Sequence, residues 1–265
     1  MLSQAKISRS FQRALSTYNS AAVVQKNCAQ ELMTYLHSYQ KSYQDSASLE
    51  RVFEFGCGTG FLTKHLVNQF TMKDFFVNDL IADCKSFLLD QGINKQQFNF
   101  INGDIEQITI PQSCDLICSS SYLQWSIDQK KLLGQLTNAL KENGCLAISS
   151  FSKGHFGELT FIHEQQNKQA HSNALNYWTV DMWQEYLQAN YKIELIKEDE
   201  HVLWFESVNE LLMHLRHTGV NGNAGENWSQ QLLTDFKQQY EKLFSANNKV
   251  PLSYRPIYII ARKIN

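Results

Sequence analysis

The segment Glu54-Phe55-Gly56-Cys57-Gly58-Thr59-Gly60 narrows the fold more than any other stretch of this chain. It closes an apolar run, Arg51 to Phe55, that reads as a strand, and it opens a helical pattern from Phe61 to Gln69. Gly56 and Gly58 allow a sharp turn and a close approach of backbone to ligand, where a side chain would collide. Gly60 lets the next helix pack near the strand, and Glu54 brings a carboxylate suited to an ammonium group. A dinucleotide fingerprint needs Gly-x-Gly-x-x-Gly, but Phe61 stands where the third glycine belongs. A phosphate-binding P-loop needs Gly-Lys-Ser/Thr, which is missing here.

Strand and helix patterns keep alternating downstream. Asp74 to Asp79 reads as a second strand, Ile81 to Asp90 as a helix, and Gln97 to Ile101 and Asp115 to Ser119 as third and fourth strands. Asp128 to Lys141 is an amphipathic helix with Gly144 as its expected cap, and Cys145 to Phe151 is a fifth strand. This alternation implies an α/β fold, a mostly parallel sheet with helices on both faces. Upstream, apolar residues recur at helical spacing from Ser8 to Leu36, with Phe11, Leu15, Val24, Ala29, Leu32 and Leu36 facing inward. The polar stretch Ser38 to Ser48 is expected to be a linker.

After the fifth strand the pattern changes. Gly154 to Ala174 is expected to be a helical insertion and Asp181 to Ala189 a helix. Tyr191 to Phe205 carries a long strand pattern, and Ser207 to Thr218 an amphipathic helix that stops at Gly219. Asn221 to Asn227 is a loop, Trp228 to Phe244 a helix, and Tyr254 to Ala261 a terminal strand.

At 265 residues the chain suits one domain with a cap. Residues 1–40 supply N-terminal helices, 49–151 the cofactor-binding core, and 152–190 and 207–250 the cap and substrate-side elements. A formal net charge of -2 gives no overall drive toward nucleic acid or an anionic membrane. No run of about 18 apolar residues is present to span a bilayer, and Lys6, Arg9 and Arg13 lack the apolar stretch of a secretory signal. The six cysteines are scattered without a Cys-x-x-Cys pair, so reduced, buried thiols of a cytoplasmic protein are expected, with no metal site.

Two further acids extend the glycine motif. Asp79 ends the second strand about 20 residues beyond the turn, where a carboxylate accepts ribose hydroxyls or caps the following helix. Gly103-Asp104-Ile105 follows the third strand, where a carboxylate receives an adenine amino group. Three acids at three adjacent strand ends suit a nucleoside bearing an amino acid and no phosphate, which describes S-adenosylmethionine. Gly56, Cys57, Gly58, Gly60, Leu80, Gly103, Ile105 and Ser119, all at these strand ends, complete the core set of candidate cofactor-binding residues around Glu54, Asp79 and Asp104.

The fourth strand opens onto Ser119-Ser120-Ser121-Tyr122-Leu123-Gln124-Trp125. Enzymes that methylate amino groups of bases carry two prolines and an aromatic there, and this chain has neither that motif nor the Pro-Cys nucleophile of cytosine methylation. A small molecule or a carrier-bound acyl group is the better acceptor class.

Several segments then point to one family. They are Phe11-x-Arg13-Ala14-x-x-x-Tyr18-x-x-x-Ala22-x-x-Gln25, Gly103-Asp104-Ile105-Glu106, Leu123-Gln124-Trp125, Gly154-x-x-x-Glu158-Leu159, Leu203-Trp204-Phe205 and Pro251-Leu252-Ser253-Tyr254. From the first helix to the last strand the chain resembles the malonyl-acyl-carrier-protein O-methyltransferases of biotin synthesis. It departs from them at Ser120, commonly Asn, and at Arg216 in His214-Leu215-Arg216-His217-Thr218-Gly219, where the family has Ser-Leu-Lys-x-x-Gly. Phe55 and Asn78 also replace smaller or apolar residues.

The resemblance implies the Rossmann-like class I methyltransferase fold with a seven-stranded sheet and a helical cap that covers the site. It implies methyl transfer to the free carboxylate of a malonyl thioester on acyl carrier protein. An unpaired buried carboxylate is costly, so a cation should meet it; Arg216 is the first candidate and Arg13, also near the cofactor, the second. Tyr18 and Trp125 are candidates to border the sulfonium, Gln25 to reach the methionine end, and Gln124 and Tyr254 to line the acyl pocket. Carrier protein is acidic, so Arg216, His214, His217, Lys237 and Arg255 are candidates for docking it.

Overall fold

Two helices, α1 (Gln4–Ala21) and α2 (Val23–Tyr43), precede the first strand in the computed structural model, which describes residues 4–43, 48–166, 177–220 and 229–264. The chain divides into a larger unit, Val24–Ser152 with Trp178–Glu198 and Pro256–Asn265, and a smaller one, Met1–Val23 with Lys153–Tyr177 and Asp199–Arg255.

In the larger unit β1 (Ser48–Phe55) leads through the glycine turn into α3 (Phe61–Gln69). β2 (Thr71–Asp79), α4 (Cys84–Asp90), β3 (Asn99–Asn102), β4 (Cys114–Ser120), α5 (Gln129–Ala139) and β5 (Leu140–Phe151) follow. After α6 (Gly157–Gln166), which belongs to the smaller unit, come α7 (Val180–Leu187) and β6 (Tyr191–Glu198), and β9 (Pro256–Lys263) closes the chain. The seven strands lie in the order β3-β2-β1-β4-β5-β9-β6. β1 pairs parallel with β2 and with β4, as do β2 with β3 and β4 with β5, whereas β9 runs antiparallel to both β5 and β6. This is the mixed, mostly parallel sheet of a Rossmann-like class I fold.

Strands covered on both faces read as near-continuous apolar runs, and Ile257, Ile259, Ile260 and Ala261 of β9 are fully buried. Beneath them the core joins Phe53, Phe55, Ile117, Leu132, Leu136 and Ile148 to Trp183 and Leu187 of α7. The strand order reverses between β1 and β4. In open α/β sheets ligands bind outside the carboxyl ends of the strands at such a switch point, and the glycine turn stands there.

The smaller unit holds α1, α6, β7 (His201–Phe205), α8 (Val208–His217), α9 (Gln230–Phe244) and β8 (Val250–Tyr254). β7 and β8 form a separate antiparallel pair, with Trp204 opposite Pro251. Gly219, at φ +73°, lets α1 approach the end of α8, since a Cβ there would lie 2.7 Å from Phe11 Cδ1. Thr17 Oγ1 donates to His217 O at 3.1 Å and fastens the same contact.

Several expectations from periodicity need correction. α2 continues to Tyr43, into the presumed linker, and Ser38 Oγ donates back to Thr34 O at 2.9 Å within the helix, while residues 44–47 lie outside the described residues. α4 starts at Cys84, not Ile81. α5 ends at Ala139 and Gly144 lies inside β5; a Cβ on Gly144 would come within 2.9 Å of Cys114 O, so glycine serves a close approach there. The long pattern Tyr191 to Phe205 is two strands broken at Asp199-Glu200, and they belong to different sheets. The terminal pattern likewise splits at Arg255 into β8 and β9, which belong to different sheets. The Asn221 to Asn227 loop, Trp228 and residues 167–174 of the insertion lie outside the described residues. Among the described residues no helix is long and apolar enough to cross a membrane.

Candidate functional site

Gly56, Gly58 and Gly60 all take positive φ, at +63°, +53° and +93°. The first and third are required by packing: a Cβ on Gly56 would sit 2.5 Å from Tyr122 Cδ2, and one on Gly60 2.5 Å from Leu88 Cδ2. Around Gly58, its two chain neighbours aside, no atom of the described residues lies within 4 Å of such a Cβ. That opening is a cradle which a side chain would fill.

Glu54, at the end of β1, is 1% exposed, and its Oε2 has no hydrogen-bond partner among the described residues. Burial pushes its carboxyl up to about 8 against the lowering effect of hydrogen bonds from Thr63, and the negative charge of Asp79 adds to the rise. Gln25 Oε1 and Thr59 Oγ1 are also buried without partners among the described residues. A native interior leaves few polar atoms in that condition without a function for them. An ammonium group has the charge and the donors to satisfy Glu54, so these residues fit the methionine end of S-adenosylmethionine.

Asp79 ends β2 and is also buried, with its carboxyl pushed up chiefly by burial. Its Oδ2 accepts the Gly58 N–H at 2.8 Å and its Oδ1 the Ile81 N–H at 2.9 Å. It therefore shapes the turns on either side of it and does not cap α4, whose cap position is Asp83. The Cys57 N–H donates to Asn78 O at 3.1 Å, and the Gly103 N–H to Asp79 O at 3.0 Å. Asp104 is half-buried and its Oδ1 accepts the Glu106 N–H at 3.0 Å, while Ile105 is core and Leu80 half-buried. Ser119 Oγ donates to Phe55 O at 2.7 Å, which joins the ends of β4 and β1. Gln124 and Trp125 are buried in a single helical turn, Leu123–Trp125; Gln124 Nε2 donates to Ser121 O and its Oε1 accepts from Ser150 Oγ.

The larger unit thus brings together Glu54, Gly56, Cys57, Gly58, Gly60, Asp79, Leu80, Gly103, Asp104, Ile105, Ser119, Gln124 and Trp125, with Gln25 on α2. Arg13, Tyr18, Arg216 and Tyr254 belong to the smaller unit. Arg13 and Arg216 are exposed there, Tyr18 is half-buried and Tyr254 fully buried. Of the docking candidates, Arg255 pairs with Glu200 at 3.2 Å and His214 is held by Tyr254.

The His214 Nε2 to Tyr254 Oη distance is 2.6 Å, and burial, helped by His217, pushes the His214 pKa down to about 4. Buried His155, stacked on Phe156 and edge-on to Tyr254, is lowered by burial as well. The unfolded chain protonates both near pH 6.5, so it binds more protons than the folded chain between that pH and about 4. Stability is therefore expected to fall as pH drops through this window. Melting temperatures at pH 7 and 4.5 check this: His214→Gln should lose less than wild type, and an equal loss would exonerate His214.

Two positioning residues escaped the sequence reasoning. Glu106 Oε1 accepts the Ser126 hydroxyl and the N–H groups of Ile127 (2.9 Å) and Asp128 (3.1 Å), which ties the Asp104 loop to the segment after Trp125. Asn78 Nδ2 donates to Ile101 O and Gly103 O, both at 2.9 Å, and so sets the end of β3. A polar residue in an otherwise apolar strand was the available signal for Asn78; for Glu106 it was an acid two residues after Asp104.

Comparison with known proteins agrees with this architecture. A family model described as a methyltransferase domain matches residues 46–211. A malonyl-acyl-carrier-protein O-methyltransferase of Chlorobium phaeovibrioides is 34% identical, over 96% of this chain and 94% of its own. One of Acinetobacter baylyi is 32% identical, over 99% and 98%. A solved structure from Bacillus halodurans, of a protein provisionally named a methyltransferase, shares the fold with TM-score 0.60 at 15% identity, covering 87% of this chain and 99% of its own.

Proposed function

Because the chain belongs to the malonyl-acyl-carrier-protein O-methyltransferase family, we propose that it methylates the free carboxylate of a malonyl thioester on acyl carrier protein. The product is the methyl ester that primes pimeloyl formation in biotin synthesis. S-adenosylmethionine, when bound, supplies an electrophilic methyl group on a positively charged sulfur. The observation that carries the donor half is the partnerless buried Oε2 of Glu54 beside the opening at Gly58. Glu54 and Gln25 hold the methionine end, Asp79 the ribose, and Asp104 the adenine. The acceptor half rests on the family.

The reaction asks little of acid–base catalysis. A malonyl carboxylate is ionised at pH 7, so no general base is needed. The protein's task is to orient the acceptor carboxylate toward the methyl group that S-adenosylmethionine would present. Trp125 and Tyr18 offer aromatic faces to the cation, Gln124 and Tyr254 line the acyl group, and Arg216, or failing it Arg13, meets the carboxylate. Masking that charge lets the chain be elongated as an ordinary acyl group. The six buried free thiols suit a reducing cytoplasm, where we place the enzyme.

The test offers purified protein malonyl-carrier, malonyl-coenzyme A and free malonate with labelled cofactor. Fastest labelling of malonyl-carrier is expected, and rapid ester formation on free acids alone would sink the acceptor. Arg216→Ala is expected to lower kcat/KM for the acceptor about 10-fold or more, as loss of a charged hydrogen bond does, with affinity for S-adenosylhomocysteine intact. An unchanged kcat/KM would remove Arg216 from the site.

A further inference from the structure

Ser121, just beyond β4 in the larger unit, combines two features that are each unfavourable. Its φ is +60°, a left-handed conformation that disfavours residues with a Cβ. Its Oγ is buried with no hydrogen-bond partner among the described residues, and a buried polar group left unsatisfied costs its full desolvation.

The backbone around it is fixed from both sides. The Ser121 N–H donates to Ser149 O at 2.8 Å, and its carbonyl accepts from Gln124 Nε2 at 2.7 Å. Gln124 is fixed in turn by Ser150 Oγ at 3.0 Å. The residues beside it touch the glycine turn: Ser119 Oγ bonds Phe55 O, and the Tyr122 ring lies where a Gly56 Cβ would be. Strain together with an unsatisfied hydroxyl, held by three surrounding hydrogen bonds next to a ligand turn, is an outlier of the kind that concentrates at functional sites.

We propose that Ser121 is an acceptor-binding residue whose hydroxyl donates to the carboxylate of the acid being methylated. The assignment rests on the carboxyl-methylation reading above. Three nearby hydroxyls give their protons within the protein, Ser119 to Phe55 O, Ser149 to Ser120 Oγ and Ser150 to Gln124, and Ser120 Oγ is engaged as the acceptor from Ser149. Ser121 has a proton to give, and an ionised carboxylate only accepts. A bond to the oxygen that does not attack fixes the rotation of the carboxylate and leaves the attacking lone pair free.

Ser121→Ala removes the hydroxyl and keeps the Cβ; Ser121→Gly removes both the hydroxyl and the strain. Each is expected to lower kcat/KM for malonyl-carrier by on the order of 10- to 100-fold, with S-adenosylhomocysteine affinity within about twofold by calorimetry. Melting temperature is expected to rise in both variants, in the alanine variant because an unsatisfied buried hydroxyl is removed and in the glycine variant because the backbone strain is relieved as well. An unchanged kcat/KM, or a loss of cofactor affinity to match the loss of rate, would overturn the assignment; so would a fall in melting temperature with Ser121→Ala, since the hydroxyl would then be part of the fold. Wild-type protein inactive on malonyl-carrier would overturn the acceptor reading itself, and this assignment with it.

Discussion

Gly58→Asp is expected to abolish binding of S-adenosylhomocysteine while leaving the protein folded. The three glycines of the turn differ in what a side chain would meet. At Gly56 and Gly60 it would strike Tyr122 and Leu88, each at 2.5 Å, so substitution there damages packing. At Gly58, its two chain neighbours aside, it would meet no atom of the described residues within 4 Å. The cost to the fold is the positive φ of +53°, about 1 kcal/mol for a residue type that tolerates it comparatively well. The cost to the ligand is much larger. The new carboxylate enters the opening itself and adds a like charge beside Asp79, whose Oδ2 already accepts the Gly58 N–H at 2.8 Å. Calorimetry is expected to record a weakening of about 100-fold or more, at least that of losing a strong charged hydrogen bond, with a melting temperature lowered by roughly 2–4 °C. Gly56→Ala is expected to show the reverse balance, losing stability first. Near-normal affinity in Gly58→Asp would displace the cofactor from this turn.

The contrast among these glycines marks where the sequence was legible. A strand, a glycine turn and a helix in succession are local events, and α3 occupies Phe61–Gln69, the span its apolar spacing predicts. The acids at the ends of β2 and β3 are local as well, since each follows a strand whose end can be read from its own pattern. Pairing is different. Val202 and Ile196 share one alternating pattern, yet β6 joins the large sheet and β7 pairs with β8, because period two records a face and not a partner. Gly144 resembled a helix cap because glycine there answers to Cys114 O, which is distant in sequence. The positioning roles of Glu106 and Asn78 stayed hidden for the same reason: they lie in hydrogen bonds to segments about 20 residues away. The roles of Arg13, Tyr18, Arg216 and Tyr254 come from family resemblance, and their tests are kinetic.

Affinity for S-adenosylhomocysteine is expected to rise with pH and to level off near 8, with Glu54 as the cause. This carboxyl is 1% exposed and burial pushes it up to about 8, so the ligand-free protein holds it protonated at pH 6 to 7. An ammonium group binds the ionised form, and binding in that range must expel a proton. Affinity therefore gains about tenfold per pH unit below 8, or ~1.4 kcal/mol per unit. The sign for stability is opposite. A folded pKa raised above the unfolded 4.5 means that Glu54 stabilises the ligand-free protein fully below that value. The contribution is lost as pH climbs to about 8, where the charge is buried without a counterion. Bound ligand supplies that counterion and cancels the loss, so the melting-temperature gain on adding ligand should grow with pH. Calorimetry at pH 6, 7 and 8 in buffers of different ionisation heat measures the proton directly. Wild type should release close to one at pH 6, and Glu54→Gln should release less and bind more weakly, with a flatter pH profile. Asp79 is also raised by burial, and any release that persists in Glu54→Gln belongs to it. A wild-type affinity constant across this range would mean that Glu54 does not meet the ammonium group, and the methionine end of the cofactor would have to be placed elsewhere.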